Sequence, residues 1–296
     1  MLQHLNVSPV PPTRVVVMGA RGFVGHAVAA RLARDGVPVL ALGSGDIDLL
    51  APGAADDLAA LLQPLDAFVA VSARAPVKNP DTLIENIIMA RAMAKALAGS
   101  RVAHVVNVSS DAIYADGPVP LTEDTLAAPG SLHGVMHLAR ELMFRAEVKA
   151  PLAMVRPTLI HGAGDPHNGY GPNKFRRQAA RSEDIVLFGE GEERRDHIWI
   201  DDVAELIAQV LYHRSRGELN LATGEVWSFR KAAQTALDLS GKRVAIKTSP
   251  RSGPMPHNGY RPFDPAAVKA AFPLFRFTPF EDACRRAVEA ERLSSN

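Results

Sequence analysis

Two histidines four positions apart, His133 and His137, have the side-chain chemistry for proton transfer at neutral pH. An imidazole has an ordinary pKa of about 6.5, which is close to the pH at which a general acid or base has to work. On a helix the two rings would face the same side, one turn apart. Both histidines are therefore candidate catalytic residues.

A pair of histidines at this spacing can also ligate zinc, so a metal site is an alternative. The segment HGVMH has no glutamate between the histidines, and no third ligand stands out nearby in the sequence. The only cysteine, Cys284, excludes an internal disulfide and a thiolate cluster and is typical of a reducing compartment. We expect no metal, and we expect Cys284 to fill apolar space in a C-terminal helix.

Three glycines, Gly19, Gly22 and Gly25, form G-x-x-G-x-x-G directly after the β-branched run RVVVM. Residues without Cβ let the backbone approach a pyrophosphate, and a helix starting there directs its N–H groups and positive dipole end at the phosphates. The spacing predicts a dinucleotide cofactor. Its expected contacts in this turn are Gly19, Arg21, Gly22, Phe23, Val24 and Gly25.

The residues after the second predicted strand bear on which dinucleotide binds. An NAD site usually has Asp or Glu there to hold the ribose 2′-hydroxyl, whereas this chain has Leu42, Gly43 and Ser44. Arg21 in the glycine turn adds a positive charge that suits a 2′-phosphate. The sequence therefore favours NADP over NAD, by a small margin.

The elements that must position these groups follow from the apolar runs. Buried-strand runs separated by helix-like segments occupy residues 14–19, 37–43, 66–73, 104–110 and 152–160. Strands alternating with helices predict an α/β fold, a Rossmann-type doubly wound parallel sheet. Such a sheet places ligands at the carboxyl ends of its strands.

The chain is expected to divide into two parts at a Gly-, Pro- and Asn-rich stretch that begins near residue 161. The dinucleotide-binding domain would comprise 14–160 and about 196–224, with 218–224 returning to the main sheet. A smaller, discontinuous substrate domain would comprise 161–195 and 225–296. Residues 1–13, which contain three prolines, are expected to be a loose leader.

Composition narrows the class of protein. With 296 residues, 47% of them hydrophobic, and a formal charge of +1, the chain is an ordinary globular protein without the basic field that nucleic acid requires. The N-terminus lacks a signal-peptide pattern, and no apolar run is long enough to span a membrane. We expect a cytoplasmic protein that binds neither nucleic acid nor membrane.

The segment PGSLHGVMHLARE (129–141) resembles the P-x-S-x-Y-G-x-S-K-x-x-x-E helix of extended short-chain dehydrogenases/reductases. This family includes nucleotide-sugar epimerases, dehydratases and ketoreductases. The matching positions are Pro129, Ser131, Gly134 and Glu141. His133 stands where the family has its proton-carrying tyrosine, and His137 stands where it has the lysine that holds the nicotinamide ribose. The resemblance implies that His133 carries the proton and that His137, only partly protonated at neutral pH, contacts the ribose.

A second element, NVSSDAIY (107–114), resembles the family's S-[ST]-x-x-x-Y motif. The resemblance makes Ser110 the hydroxyl that bonds the sugar oxygen and Asp111 a further catalytic candidate, although Asp111 would equally suit a turn cap. Dehydratases of this family have an Asp-Glu pair here, whereas this chain has Ala112 in the second position. Because elimination of water needs two proton-transferring groups, a dehydratase is the less favoured activity.

The resemblance also implies further ligand contacts. Asn173 and Arg195 match the family's diphosphate-binding residues, Leu187 and Phe188 would lie along the nucleobase, and Arg261 is a second candidate clamp. A planar, always-charged guanidinium suits a diphosphate. The remaining cofactor contacts are Ser44, Asp48, Leu49, Ser72, Ala73, Asn86 and His137, with Asp48 at the adenine.

The sequence therefore predicts an NAD(P)-dependent oxidoreductase acting on a nucleotide-activated sugar, an epimerase or ketoreductase before a dehydratase. The alternative from another class is a catalytically silent sensor or scaffold that binds dinucleotide, since both the tyrosine and the lysine are replaced. The family's usual homodimer would pair residues 133–144 with residues 83–97.

Overall fold

The computed structural model describes residues 2–294; Met1 of the predicted leader and residues 295–296 of the predicted substrate domain lie outside the described residues. The strands of the described chain are β1 (Val15–Met18), β2 (Val39–Leu42), β3 (Ala67–Ala70), β4 (His104–Val108), β5 (Leu152–Pro157), β6 (Leu159–His161), β7 (Ile185–Phe188), β8 (Arg194–Trp199), β9 (Gly217–Leu221), β10 (Val226–Ser228), β11 (Ile246–Ser249) and β12 (Tyr260–Arg261). The α-helices are α1 (Phe23–Arg34), α2 (Ala54–Leu61), α3 (Pro80–Ala98), α4 (Leu132–Glu147), α5 (Pro172–Ala180), α6 (Ile200–Tyr212), α7 (Phe229–Ser240), α8 (Ala266–Ala271) and α9 (Phe280–Ser294).

A sheet of six parallel strands organises the described chain, in the order β2-β1-β3-β4-β5-β9. The chain passes from β1 to β2 on one side and to β3 on the other, so the order reverses beside β1. Open α/β sheets bind ligands in the crevice at such a reversal. The predicted doubly wound parallel sheet is confirmed, including the return of the chain to this sheet at β9.

Helices cover both faces of the sheet because successive strand side chains point to opposite sides. On one face α1 and α6 pack against Val15 and Val17, and on the other α2, α3 and α4 pack against Val16 and Met18. All four side chains of β1 are at most 1% exposed, which fixes the strand that leads into the glycine turn. No helix among residues 2–294 is both long and apolar enough to cross a membrane.

The described chain also forms two smaller sheets. β5 ends at Pro157 and β6 begins at Leu159, and β6 pairs with β8 in the sheet that also contains β10 and β12. β7 pairs with β11. A separate apolar cluster that includes Phe175, Leu187 and Phe229 joins these strands to α5, α7 and α9.

The N-terminal segment is attached to the fold. Gln3 and Arg216 exchange backbone hydrogen bonds of 2.8 and 2.9 Å, and the Val10 N–H donates to the Tyr212 carbonyl at 2.9 Å. A ring nitrogen of His4 lies 2.7 Å from the Ser215 hydroxyl. The expectation of a loose leader is therefore wrong for residues 3–10, because several of their backbone groups bond to the segment between the end of α6 and β9 despite the prolines at 9, 11 and 12.

Candidate active site

A cavity of about 1180 Å³ lies along the carboxyl edge of the central sheet. Ligand pockets usually measure about 300–1,000 Å³, so this one has room for a dinucleotide and part of a second ligand. Most of the predicted residues line it: Gly19, Arg21, Gly22, Phe23, Val24, Ser44, Asp48, Leu49, Ser72, Ala73, Ser110, Asp111, His133, His137 and Arg195. The chain therefore brings residues from many separate elements to one wall.

The glycine turn requires residues without side chains at two positions. Gly19 has a φ of +104°, and a Cβ there would lie 2.7 Å from the Ser72 nitrogen. A Cβ on Gly25 would lie 2.1 Å from the Gly19 carbonyl oxygen, so only glycine lets α1 sit this close to β1. Within the described part of the chain no side chain caps the start of α1, and Phe23 and Val24 line the cavity. The turn therefore fits a pyrophosphate bound by backbone N–H groups.

Near the end of β2, Arg21 at the cavity wall pairs with a carboxylate, Asp46, that does not itself line the cavity. Arg21 lies 3.1 Å from both carboxylate oxygens of Asp46, and Asp46 also accepts the Gly43 N–H at 2.8 Å. The Arg21 side chain is 68% exposed, so this ion pair is weak and easily rearranged. A Cβ on Gly43 would lie 2.9 Å from Arg21 Cδ, so this glycine makes room for the arginine stem. Sequence reasoning found Arg21 and missed its carboxylate partner.

Asn86 does not line the cavity. Its amide oxygen accepts the Arg74 N–H at 2.9 Å, and its Nδ2 donates to the carbonyls of Arg74 and Thr82 at 3.0 and 2.8 Å. These bonds attach the loop after β3 to helix α3. Asn86 therefore supports the segment that brings Ser72 and Ala73 to the cavity.

Ser110 and Asp111 follow β4 in a single 3-10 turn (Asp111–Ile113). The Ser110 hydroxyl accepts the Ala112 N–H at 3.2 Å and donates to Asp111 at 3.4 Å. The Asp111 carboxylate is mostly buried and lies 3.4 Å from Arg261 Nε. Ser110 therefore keeps hydrogen-bonding capacity toward the cavity, while Asp111 holds a buried arginine.

His133 lies in the first turn of α4, where backbone packing fixes its position. The Ser131 hydroxyl caps the helix by accepting the Gly134 N–H at 3.2 Å. A Cβ on Gly134 would lie 2.1 Å from the Ala112 carbonyl oxygen, so the helix rests directly on the turn that follows Ser110. Within the described chain His133 Nδ1 is buried without a hydrogen-bond partner, which is unfavourable unless a ligand supplies one.

The two imidazoles are neutral in this setting. Burial lowers the pKa of His133 below its ordinary value, with the Asp111 carboxylate opposing the change and Arg140 and His167 adding to it. Burial lowers the pKa of His137 much further. The two rings meet edge to face, with centroids 4.7 Å apart. His137 therefore does not provide the partial positive charge expected from its sequence position.

Arg140 is the cation that sequence reasoning missed. It lies three residues after His137, is 2% exposed and lines the cavity. Its guanidinium donates to the carbonyls of Ser72, at 3.0 Å, and Val108, and lies 3.4 Å from His137 Nδ1. Burial lowers the pKa of Arg140 to about 10, so it stays charged at neutral pH. Its spacing from His137 on one helix face was the available signal.

Arg195 reaches the cavity from β8. Its guanidinium lies 3.3 Å from Glu193, and burial lowers its pKa without removing its charge. The neighbouring Asp196 accepts the N–H groups of Thr223 and Gly224 at 3.2 and 2.8 Å, which fixes this part of the strand. Arg195 is therefore a buried, oriented cation of the kind that binds a diphosphate.

Four predicted substrate contacts do not line the cavity. Arg261 is 1% exposed and bonds Asp116, at 2.6 Å, and the Asp111 carbonyl, at 2.9 Å. Asn173 donates to Asp165 at 2.6 Å and accepts the Gly162 N–H at 3.1 Å. The other two are on β7: Leu187 is fully buried in an apolar cluster, and Phe188 is 43% exposed and packs on Tyr170. Asp165, His167 and His257 line the cavity instead.

Among residues 2–294 no group of three or more His, Cys, Asp or Glu side chains is placed to hold a metal ion. Cys284 lies in α9 within an apolar cluster, and burial raises the pKa of its thiol to about 12. A thiol in that setting stays protonated and unreactive.

The fold is a Rossmann-type α/β fold, and a glycine turn, a helix carrying two histidines and a buried arginine line one cavity at the carboxyl edge of its sheet. Residues 15–222 match the family model described as the NAD dependent epimerase/dehydratase family. Because the match covers more than half of the chain, the protein belongs to this family, and the resemblance predicted from sequence is confirmed.

Named relatives are distant but cover most of the chain. A UDP-glucose 4-epimerase of Mycolicibacterium smegmatis is 25% identical over 249 residues, which are 74% of this chain and 80% of that protein. The structure of a Thermus thermophilus UDP-glucose 4-epimerase in complex with NAD has a TM-score of 0.83 at 21% identity, covering 94% of this chain and 99% of that one. A Naegleria fowleri GDP-L-fucose synthetase bound to NADP has a TM-score of 0.83 at 19% identity, covering 99% and 98%. At these identities the structural likeness shows the shared fold.

Proposed function

We propose that this protein is an NAD(P)-dependent oxidoreductase that acts on a nucleotide-activated sugar, as an epimerase or a ketoreductase. One observation carries the proposal: a single cavity is lined by the glycine turn, by Ser110 and His133, and by the buried Arg195. The epimerases and the synthetase among the relatives and structural neighbours support this substrate class.

The glycine turn and the first turn of α1 would hold the pyrophosphate, and a bound dinucleotide supplies the hydride donor or acceptor. Ser110 would hydrogen-bond the oxygen of the reacting sugar carbon. His133, neutral because burial lowers its pKa, would take the hydroxyl proton as hydride leaves that carbon. The nearby Asp111 carboxylate favours the imidazolium that forms. A neutral ring near a carboxylate favours His133 as the base that accepts the hydroxyl proton.

For the cofactor we propose a small preference for NADP. Arg21 supports it, because an exposed guanidinium beside the end of β2 suits a 2′-phosphate. Asp46 weakens the preference, since it already pairs with Arg21 and offers a carboxylate of the kind that binds a ribose hydroxyl.

For the second ligand we propose that residues 161–195 and 225–296 form a substrate domain and that Arg195 binds the diphosphate. Asn173 and Arg261 would support the surrounding loops, as their internal bonds indicate. We also propose a homodimer formed through α3 and α4, on which apolar side chains are exposed: Ile84, Val135 and Leu142. Light scattering on the purified protein tests the dimer.

Calorimetry with the nucleotides alone tests the proposed function. NADPH or NADH should bind, and at least one of UDP, GDP and dTDP should bind in addition. If none of the three diphosphates binds at millimolar concentration, the nucleotide-sugar assignment is lost. If both ligands bind but a separate assay with the corresponding nucleotide sugars gives no turnover, the protein is the silent dinucleotide-binding sensor that the replaced tyrosine and lysine also suggest.

A further inference from the structure

Arg140 is a buried cation that forms no ion pair within the described residues, and the only favourable charge acting on it is that of the adjacent Glu141. Across residues 2–294 the structure pairs no aspartate or glutamate with its guanidinium, which bonds two backbone carbonyls and an imidazole instead. The adjacent Glu141 is engaged elsewhere: it accepts from Arg156 at 2.9 and 2.8 Å and from Arg145 at 3.1 Å. Arg140 therefore leaves a net positive charge in the wall of the cavity.

Burying such a charge is unfavourable, so its position calls for a physical reason. One guanidinium nitrogen, Nε, is buried without any partner in the described chain, so the hydrogen bonding of Arg140 is incomplete. The two carbonyls that it contacts, Ser72 and Val108, follow or end strands β3 and β4 at the carboxyl edge of the sheet. Arg140 thus holds the charge at the edge where a dinucleotide is expected.

The contact between Arg140 and His137 also fixes a tautomer. A guanidinium has donors and no acceptor, so Nδ1 of His137 must accept in the 3.4 Å contact. The proton of the neutral ring is then on Nε2. His137 lines the cavity, so it offers an N–H donor there.

We propose that Arg140 is a positioning residue that fixes His137 as the neutral Nε2–H tautomer and supplies the fixed positive charge beside the imidazole pair. His137 then acts as a neutral donor, and the positive charge of Arg140 stays in the wall throughout the neutral pH range. The same charge disfavours protonation of His133, which keeps that ring available as a base. The catalytic consequence rests on the proposed function, whereas the tautomer and the charge effect do not.

The groups that face His133 come from three elements. Asp111 follows β4 and favours the protonated ring, while Arg140 and His137 on α4 and His167 in the loop before α5 oppose it or add no favourable charge. Removing Arg140 therefore leaves Asp111 as the dominant charge, and the pKa of His133 should rise.

Nitrogen-15 NMR of the imidazoles in the unliganded wild-type protein tests the proposal without any assay of turnover. His137 should be neutral with its proton on Nε2 across the neutral range. A protonated His137, or a ring with its proton on Nδ1, would overturn the proposal whether or not the protein proves to be an oxidoreductase.

Substitutions of Arg140 distinguish the effect of its charge from the effect of its packing. Arg140→Gln keeps a donor and removes the charge, so the midpoint of His133 should move to higher pH by about 0.5 or more. Arg140→Lys keeps the charge and should leave the midpoint near that of wild type. Arg145→Gln removes a half-exposed cation from the same helix and should leave it unchanged. A folded Arg140→Gln with an unmoved midpoint would make Arg140 a packing residue only.

If turnover is found, the acid limb of the rate profile should move with the NMR midpoint in Arg140→Gln and stay in place in Arg140→Lys. A loss of rate without movement of that limb would count against the proposal. Absence of turnover in wild type would bear on the proposed function alone, because the NMR result stands independently.

Discussion

The glycine turn after β1 and the first turns of α4 line the same cavity. The turn presents its backbone to the cavity, whereas α4 presents side chains. In the turn, the backbone itself is the binding surface, and Gly19 and Gly25 are enforced by contacts of 2.7 and 2.1 Å that any Cβ would make. In α4 the backbone is held as tightly, through Gly134, yet the side chains facing the cavity differ from those the family pattern predicts. Packing therefore fixes the backbone position of α4, but it does not determine which side chains face the cavity.

The position of α4 depends on a buried hydrogen-bond network. Glu141 is fully buried and receives two bonds from Arg156, which also donates to the Tyr114 hydroxyl at 2.7 Å. Burial raises the pKa of Tyr114 to about 12, so this hydroxyl stays protonated. The network fixes the helix, which explains how position 133 faces the same cavity as Ser110 although it holds a histidine and not the family's tyrosine.

The largest expected effect is the loss of turnover on removal of a side chain from α4. His133→Ala should lower turnover by roughly 100-fold to 10,000-fold, the usual value of general acid–base catalysis, and leave dinucleotide affinity unchanged. In wild type, activity that needs the neutral base should fall as pH drops through the lowered pKa of His133, below the ordinary histidine range. Steady-state rates against pH measure both effects.

The control for that change is His26→Ala, which removes an exposed histidine from α1 and should alter neither rate nor pH profile. Full activity of His133→Ala on a substrate that Ser110→Ala no longer converts would assign the proton to another group.

The next effect concerns the second ligand. Arg195→Ala should weaken nucleoside-diphosphate binding by about 1.5 to 3 kcal/mol, the range for a hydrogen bond to a charged group. Calorimetry measures it. Arg194→Ala, which removes an exposed arginine that stacks on Tyr260 at 4.3 Å, is the matched control on the same strand. Equal losses in the two variants would mean that the field of the strand, rather than a direct contact, binds the ligand.

A smaller effect is expected from adding a side chain to the glycine turn. Gly25→Ala places a methyl group 2.1 Å from the Gly19 carbonyl, so α1 must shift. Overpacking of this kind costs about 1–3 kcal/mol of stability, and dinucleotide binding should weaken with it. Thermal unfolding with and without NADPH measures both. Gly99→Ala, in open space at a φ of −94°, should have no effect on binding. A Gly25→Ala variant with wild-type affinity would show that the turn tolerates a side chain.

The smallest expected effect is on cofactor choice. Arg21→Ala should weaken NADPH binding and spare NADH, whereas Asp46→Asn should strengthen NADPH binding by releasing Arg21 from its ion pair. Fluorescence titration of both dinucleotides measures the change. A preference for NADH that neither substitution alters would identify Arg21 as a surface residue.

Features that depend on neighbouring residues could be predicted from the sequence, whereas features that depend on contacts between residues far apart in the chain could not. The glycine turn and Ser110 are local patterns next to apolar strands, and the structure places them where those patterns indicate. Arg261 could not be placed in the same way, because its partner Asp111 is 150 residues away. Arg140 shares a helix face with His137, but its carbonyl partners are 68 and 32 residues distant, so the spacing alone could not show that its charge is buried in the cavity wall.

The central claim is that a helix carrying two neutral imidazoles supports hydride transfer on a nucleotide sugar. Mixing the protein and each dinucleotide with UDP-, GDP- and dTDP-linked sugars, while recording reduced-nicotinamide absorbance and sugar stereochemistry by NMR, tests it most directly. The wild type should oxidise, reduce or epimerise at least one sugar, His26→Ala should do the same, and His133→Ala and Ser110→Ala should not. Binding of both ligands without any change in nicotinamide or sugar would contradict the claim.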